Sequence, residues 1–251
     1  MSRWSADYLR IALAPGEIAF ARGSRKQSWT ADTPAASLLP VLDAALAEPI
    51  WKAARVEVVL SQHFVRHVLT PPPGKALSPD EETTLVTASL HDLYGDLAKN
   101  WRVSVHSQPP HLGVLGAAVD GAFAGELDAL LQRHGFHRVR ILPLAAMAIR
   151  RLPAHMAGWW LLAEPGWVTL LGGTPSGWLH VSGMPADAGW QEHLADWVAY
   201  EGDCCTAPIP PAAWLQAVGV GSVDTPRDAV LRWQVLPHEN QIKGAAALLA
   251  V

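Results

Sequence analysis

The side chains able to do chemistry are few, and each has a structural reading beside the chemical one. His63 and His67 lie four residues apart in Gln62-His63-Phe64-Val65-Arg66-His67. On a strand they would share a face and, with Arg66, present two imidazoles and a guanidinium. A metal would need a third ligand from elsewhere, such as His111 or Asp120, so the spacing favours polar residues at a strand edge. Asp80, Glu81 and Glu82 look like a catalytic carboxylate cluster. Yet Ser78-Pro79-Asp80-Glu81 is a complete helix start, with Ser78 as cap, Pro79 at the first helical position and Glu81 closing a capping box. His134 and His137 flank Gly135 and are placed to touch helix-end carbonyls. Cys204 could pair with His193 as nucleophile and base, but residues 201–211 offer no third group to orient them. Cys204 and Cys205 are adjacent, which suits neither a structural disulfide nor a zinc site, so they are read as reduced. No Gly-x-Ser-x-Gly, P-loop or dinucleotide fingerprint is present.

The elements that must position these groups alternate between strand and helix patterns. The chain has 251 residues, half of them hydrophobic, enough for one large or two small domains. Its net charge of −4 gives no global case for nucleic acid. No window reaches the ~18 apolar residues of a membrane span, and the polar first residues do not read as a secretory signal. Twelve Trp against three Tyr and four Phe is unusual and fits either core packing or a sticky partner surface. Strands are expected at 8–14, 17–21, 55–60, 64–69, 101–107, 111–120, 136–142, 159–163, 167–171, 178–181, 214–220 and 233–236. Helices are expected at 34–47, from 79 to about 100, and at 121–134, 143–152, 188–200 and 225–230, and residues 244–251 close the chain. Residues 22–33 read as a polar loop with a solvated basic cluster, Arg22, Arg25 and Lys26. The mixture is α/β with antiparallel hairpins.

One figure occurs twice. Two apolar runs flank a Pro15-Gly16 corner, and two more flank Glu164-Pro165-Gly166. Repeating a hairpin in this way suggests two related lobes. Residues 111 to 152 add a small-residue strand (Leu115-Gly116-Ala117-Ala118-Val119), a helix, the strand HRVRILP and an Ala-rich helix opened by Pro143. This succession resembles the type IV pilus assembly protein PilM and the cytoplasmic part of GspL from type II secretion, members of the actin-like ATPase superfamily. The block from Val56 through the capped helix resembles the subdomain that those families insert. Residues 214 to 222 and 244 to 249 look like the glycine turn and terminal helix that close the fold.

The resemblance implies a two-lobed actin-like (ribonuclease H-like) fold. The first lobe would span 1–152, with an inserted subdomain at about 56–119, and a reduced second lobe would span 153–251. It also implies a nucleotide between the two hairpin tips, held by Ala14, Pro15, Gly16, Glu164, Gly166, Gly219 and Gly221. Here those loops look vestigial. The family's Asp-x-Gly falls on Ala12 and Ala14 at the first tip, and Glu164 is the one carboxylate at the second. Pro15 and Pro165 each remove an N–H, and Trp167 adds bulk where a phosphate would approach. Gly219 and Gly221 could still make an adenosine-type turn.

The expectation is therefore a degenerate actin-like protein that does not hydrolyse ATP. No cofactor is expected, with ATP and Mg²⁺ entering only if the nucleotide site survives. By resemblance it would be a cytoplasmic scaffold, peripheral to the inner membrane and not inserted. It would bind the cytoplasmic tail of a bitopic assembly protein in a groove between the first-lobe sheet and the insert. Two alternatives stand beside it: an ATPase or small kinase in which Glu164 replaces the missing Asp, and a homo-oligomeric module using its tryptophans.

Overall fold

A computed structural model describes residues 8–31, 38–153, 156–187, 189–205, 207–221, 223, 231–236 and 244–250. The chain opens with β1 (Tyr8–Ala14), β2 (Glu17–Arg22) and β3 (Arg25–Thr30), followed by α1 (Leu38–Leu46) and β4 (Arg55–Leu60). Next come β5 (Val65–Leu69), α2 (Pro79–Tyr94), β6 (Arg102–His106), β7 (Leu115–Val119), α3 (Gly121–Arg133), β8 (Val139–Pro143) and α4 (Leu144–Ala148). The second half holds β9 (Gly158–Glu164), β10 (Gly166–Thr174), β11 (Gly177–Ala186), α5 (Leu194–Asp203), β12 (Ala212–Ala217), β13 (Arg232–Val235) and α6 (Ala245–Leu248).

Two five-stranded sheets repeat one plan. The first runs β3-β2-β1-β4-β8 and the second β11-β10-β9-β12-β13. In each, three antiparallel strands come from consecutive hairpins, and the outer pair joins in parallel. A third sheet, β5-β7-β6, is antiparallel and carries α2. Arg55–Leu60, expected at the start of the insert, lies inside the first sheet between β1 and β8. The third sheet itself begins at Val65.

Alternation along the strands sorts the cores. Leu9, Ile11 and Leu13 of β1 face α1 and α3. Ala12 and Ala19 face the other way, against α4, α6 and the Trp160, Leu162 and Leu171 side chains of the second sheet. Small residues on the first sheet there let two helices fit between the lobes. Trp159, Leu161 and Ala163 point out of the opposite face of β9 towards α5. Among the described residues no tryptophan is exposed. The described tryptophans therefore pack into cores and seams.

Several boundaries differ from the sequence reading for clear reasons. Residues 25–30 form a strand, not a loop: β3 is an edge strand exposed on both faces, so it has no apolar alternation to read. Helix α2 has the full capping box but ends at Tyr94, where Gly95 takes φ 60°, and continues as a 3₁₀ turn. The expected strand at 111–120 shortens to β7, because Gly113 packs where a Cβ would lie 1.8 Å from the Thr70 carbonyl oxygen. The strand expected from 136 begins at Val139. Residues 190–193 form a 3₁₀ turn ahead of α5. The helix expected at 225–230 lies outside the described residues.

Candidate functional site

The two hairpin tips converge on one short turn. After β4 the chain enters a 3₁₀ turn at Gln62–Phe64, capped by the Ser61 hydroxyl accepting from the His63 N–H. The Ser61 backbone N–H donates to the Leu13 carbonyl, 2.9 Å away, just before the first tip. The Ser61 hydroxyl donates to Glu164 Oε2 at 2.6 Å, and the Gln62 N–H donates to Glu164 Oε1 at 2.7 Å. The second tip is thus fastened to the end of β4, with Ser61 lying between both tips. His63 Nε2–H donates to the Pro165 carbonyl at 2.8 Å, and the ring sits over Gly166, where a Cβ would come within 3.2 Å of it. Gly166 has φ 80°, so glycine serves both the turn and the close contact.

Glu164 is buried, and burial pushes its carboxyl up to about 7 despite the opposing hydrogen bonds from Ser61 and Gln62. Gln62 continues the network. Its Nε2 reaches Thr169 Oγ1 at 3.3 Å and His67 Nε2 at 2.8 Å, and its Oε1 accepts from the Ala145 N–H. An amide N–H donating to His67 Nε2 requires that nitrogen to be unprotonated, so the imidazole is neutral. Burial holds the His67 pKa down at about 4, with the Arg66 charge acting in the same direction.

This arrangement corrects the paired-histidine reading. His63 belongs to the 3₁₀ turn and His67 to β5, and they serve different partners. His111 is exposed, and Asp120 caps α3 by accepting from the Phe123 N–H. Among the described residues no group of three His, Cys, Asp or Glu side chains is placed to hold a metal. His134 donates to Asp43 of α1 at 2.6 Å instead of to a helix-end carbonyl. Glu82 is buried and accepts from Ser107, while Ser78 and Glu81 make the cap. No hydrogen bond joins Cys204 to His193 among the described residues. It is Cys205 that turns inward, donating to the Glu201 carbonyl.

Around the first tip, Ala14 and Gly16 are half-buried and Pro15 is exposed. Glu17, just past the tip, sends its carboxylate to the start of α6, where Oε2 accepts from the Ala245 N–H at 2.6 Å. Gly219, with φ 75°, packs against Gly244 and Ala247, so it does meet the terminal helix. Gly221 is exposed, with nothing within 4 Å of its Cβ position. Of the residues expected at a nucleotide site, only those offering backbone or carbon stand open. The Glu164 oxygens are both engaged, and the Ala245 N–H at the start of α6 is taken by Glu17. Ala12 and Ala14 offer a Mg²⁺–nucleotide no carboxylate or hydroxyl, and the Glu164 carboxylate already accepts from Ser61 and Gln62.

A second feature lies on the other side of β4. A groove of about 710 Å³ opens between the β8 edge of the first sheet and the β6 edge of the third. Neither edge carries a further strand among the described residues. Val103, Val105, Leu115, Phe123, Leu127 and Ile141 line its sides, and Trp160, Leu171 and Trp178 of the second lobe close one end. Arg102, ion-paired with Asp128, and Arg140 sit among the lining residues. Gln108 ties the loop before β7 to the start of β11 at that end. Its Oε1 accepts from the Trp178 N–H at 2.6 Å, and its Nε2 donates to the carbonyls of Gly113 and Trp178.

Sequence reasoning missed Ser61, Gln62, Glu17 and Gln108. One signal was available: a Ser-Gln pair at the carboxyl end of a buried parallel strand, where α/β folds place their functional groups.

No protein-family model matches the chain, and no curated protein matches it either. Solved structures do. The cytoplasmic domain of EpsL, an inner membrane component of the type II secretion system of Vibrio cholerae, aligns at 17% identity and TM-score 0.57, over 97% of this chain and 92% of that one. A Bacteroides thetaiotaomicron protein with an actin-like ATPase fold and unknown function aligns at 11% identity and TM-score 0.58, over 100% and 99%. A PilM–PilN type IV pilus biogenesis complex provides a third match, at 11% identity and TM-score 0.53, over 85% and 82%. With its two sheets of one plan, the chain has the actin-like ATPase fold, in the form seen in PilM and in the cytoplasmic domain of EpsL.

Proposed function

We propose that this chain is a scaffold of an inner-membrane assembly of the type II secretion or type IV pilus kind, acting without ATP hydrolysis. In this reading it receives the extended cytoplasmic tail of a membrane partner in the groove between β8 and β6. The observation that carries it is the groove itself: an apolar trough flanked by two unpaired strand edges. An extended peptide can hydrogen-bond such an edge through its main chain and drop alternate side chains into the trough. The fold shared with EpsL, an inner membrane component of a type II secretion system, and with a PilM–PilN type IV pilus biogenesis complex supports the setting. The fastened tips and the committed Glu164 support a scaffold rather than a turnover enzyme. In this role the protein works in the cytoplasm, peripheral to the membrane.

The test is photo-crosslinking in cells with benzoylphenylalanine at Val103 inside the groove and, as control, at Leu93 on the exposed side of α2. A membrane-fraction protein linked from Val103 and not from Leu93 is expected. Absence of any membrane protein from the Val103 product would sink the reading.

A further inference from the structure

We infer that one end of the first sheet is a docking surface for an anionic bilayer. The strand register assembles it from residues scattered over the chain. One row across the sheet reads Lys26, Ala21, Arg10, Glu57, Arg140. The next holds the pair Arg22 and Arg25 beside Leu9, Val56 and Val139. The row beyond pairs Tyr8 with Arg55, and Arg138 lies alongside, its carbonyl accepting from the Val56 N–H.

Seven basic side chains thus gather at the end where β1, β4 and β8 begin, against one carboxylate in the same rows. That carboxylate, Glu57, is buried and sits 3.6 Å from Arg10 Nε and 4.0 Å from Arg140. Lys52 and Glu48, in the turn before β4, offset each other. Among the described residues, the rest of the chain holds nine basic residues against seventeen acidic ones. The molecule is therefore polar in charge: a cationic end on an acidic body, which orients it over a negative plane.

The shape favours a plane over a peptide or a nucleic acid. Five strands at about 4.8 Å spacing spread the charges over roughly 19 Å, on both faces of the sheet end. Arg25, Lys26, Arg55, Arg138 and Arg140 are exposed, while the aromatic rings here are at least partly buried and offer no stacking platform for bases. Beside them Ile50 is exposed, its carbonyl accepting from Arg22 at 2.7 Å, and an apolar side chain among cations suits a lipid interface. Arg140 also lines the groove, so the docked orientation brings the groove's rim to the surface from which a membrane partner's tail emerges.

The test is co-sedimentation of the purified chain alone with vesicles of phosphatidylglycerol and phosphatidylcholine, against phosphatidylcholine vesicles. Because no partner peptide is present, the result does not depend on the groove. Binding to the anionic vesicles is expected, none to the neutral ones, and release in about 1 M salt, where the Debye length falls to about 3 Å. The variants R25E/K26E and R55E/R138E should each weaken binding by at least about tenfold, whereas K75E/K99E, an equal charge change on the insert, should not. These positions are all exposed, and the wild-type salt release needs no variant. Equal binding to neutral vesicles, no binding to anionic ones, or equal loss in K75E/K99E would overturn the inference. So would capture by polyglutamate that anionic vesicles do not displace, which would mark an acidic protein partner instead.

Discussion

The Ser61 hydroxyl lies 2.6 Å from Glu164 Oε2 although 103 residues separate them, and the Ser61 N–H is bonded to the Leu13 carbonyl. One serine therefore ties the first hairpin to the second. In a two-lobed fold that spot lies between the tips, so the bond has consequences for stability, pH response and ligand access.

Glu164 makes folding less favourable as pH rises. Its carboxyl has an ordinary value of 4.5 and stands at about 7 in the folded protein. Below 4.5 it is protonated in both states and has no effect. Between 4.5 and 7 the folded state holds the extra proton, so stability falls as pH climbs through that window, by up to about 3 kcal/mol. Glu164→Gln keeps an acceptor for the Gln62 N–H and removes the ionisation. It should melt higher than the wild type at pH 8 and no higher at pH 4.5. A variant with unchanged pH dependence would show that Glu164 is ionised and well paired.

His67 acts in the opposite sense. Its pKa falls from 6.5 to about 4 in the folded protein. The unfolded chain therefore binds the extra proton between those values, and stability is lost as pH drops through them. Gln62 touches both groups, so the two slopes offset each other in the wild type between pH 4.5 and 6.5. His67→Gln should unmask the Glu164 slope, and Glu164→Gln the His67 slope. Denaturant melts across that range check it, and two identical profiles would refute the assignment.

How far the sequence could reach here follows from distance along the chain. The tips were legible because Pro15-Gly16 and Glu164-Pro165-Gly166 interrupt apolar runs, and the α2 cap because its partners lie three residues apart. The repeated sheet plan followed from repeated hairpins. Strand β3 was not legible, since exposure on both faces leaves no period. The seam was hidden for another reason. Ser61, Gln62 and Glu17 find their partners only when two lobes close, and no local pattern encodes a contact over 103 or 228 residues. The tip carboxylate stood out in the sequence as the one acidic residue of the second tip, but its hydrogen bonds to Ser61 and Gln62 could not be read there.

Gly244 and Glu17 should show coupled substitutions. Gly244 has φ 60°, and a Cβ there would lie 1.7 Å from Glu17 Oε2. Gly244→Ala is expected to cost about 1 kcal/mol for the backbone and more for the overlap. Glu17→Ala alone loses the bond to the Ala245 N–H, about 1–2 kcal/mol. The double variant should be less destabilised than the sum, because truncating Glu17 clears the space. Additive melting shifts would show that the two do not meet.

Gln108→Ala should loosen the insert from the second lobe. The amide makes three hydrogen bonds to backbone groups of Gly113 and Trp178, and their loss should cost about 2–3 kcal/mol. The loss is local, so hydrogen exchange at the Trp178 amide should accelerate well before that of the β1 and β4 core amides. Uniform acceleration across the chain would mean that Gln108 supports global folding instead.

A titration with Mg·ATP, followed by calorimetry and thermal shift together, should show no binding up to millimolar nucleotide. Phosphates need free backbone N–H groups and a carboxylate or hydroxyl to organise magnesium. Here Pro15 and Pro165 lack the N–H, Ala12 and Ala14 offer carbon, and Glu164 is bonded to Ser61 and Gln62. Binding would have to break that pair and leave the Ser61 hydroxyl and the Gln62 N–H buried without partners, a loss of about 1–3 kcal/mol each. Saturable micromolar binding would mean that the seam opens, and turnover abolished by Glu164→Gln would then make this carboxylate the ligand-organising group of an active ATPase.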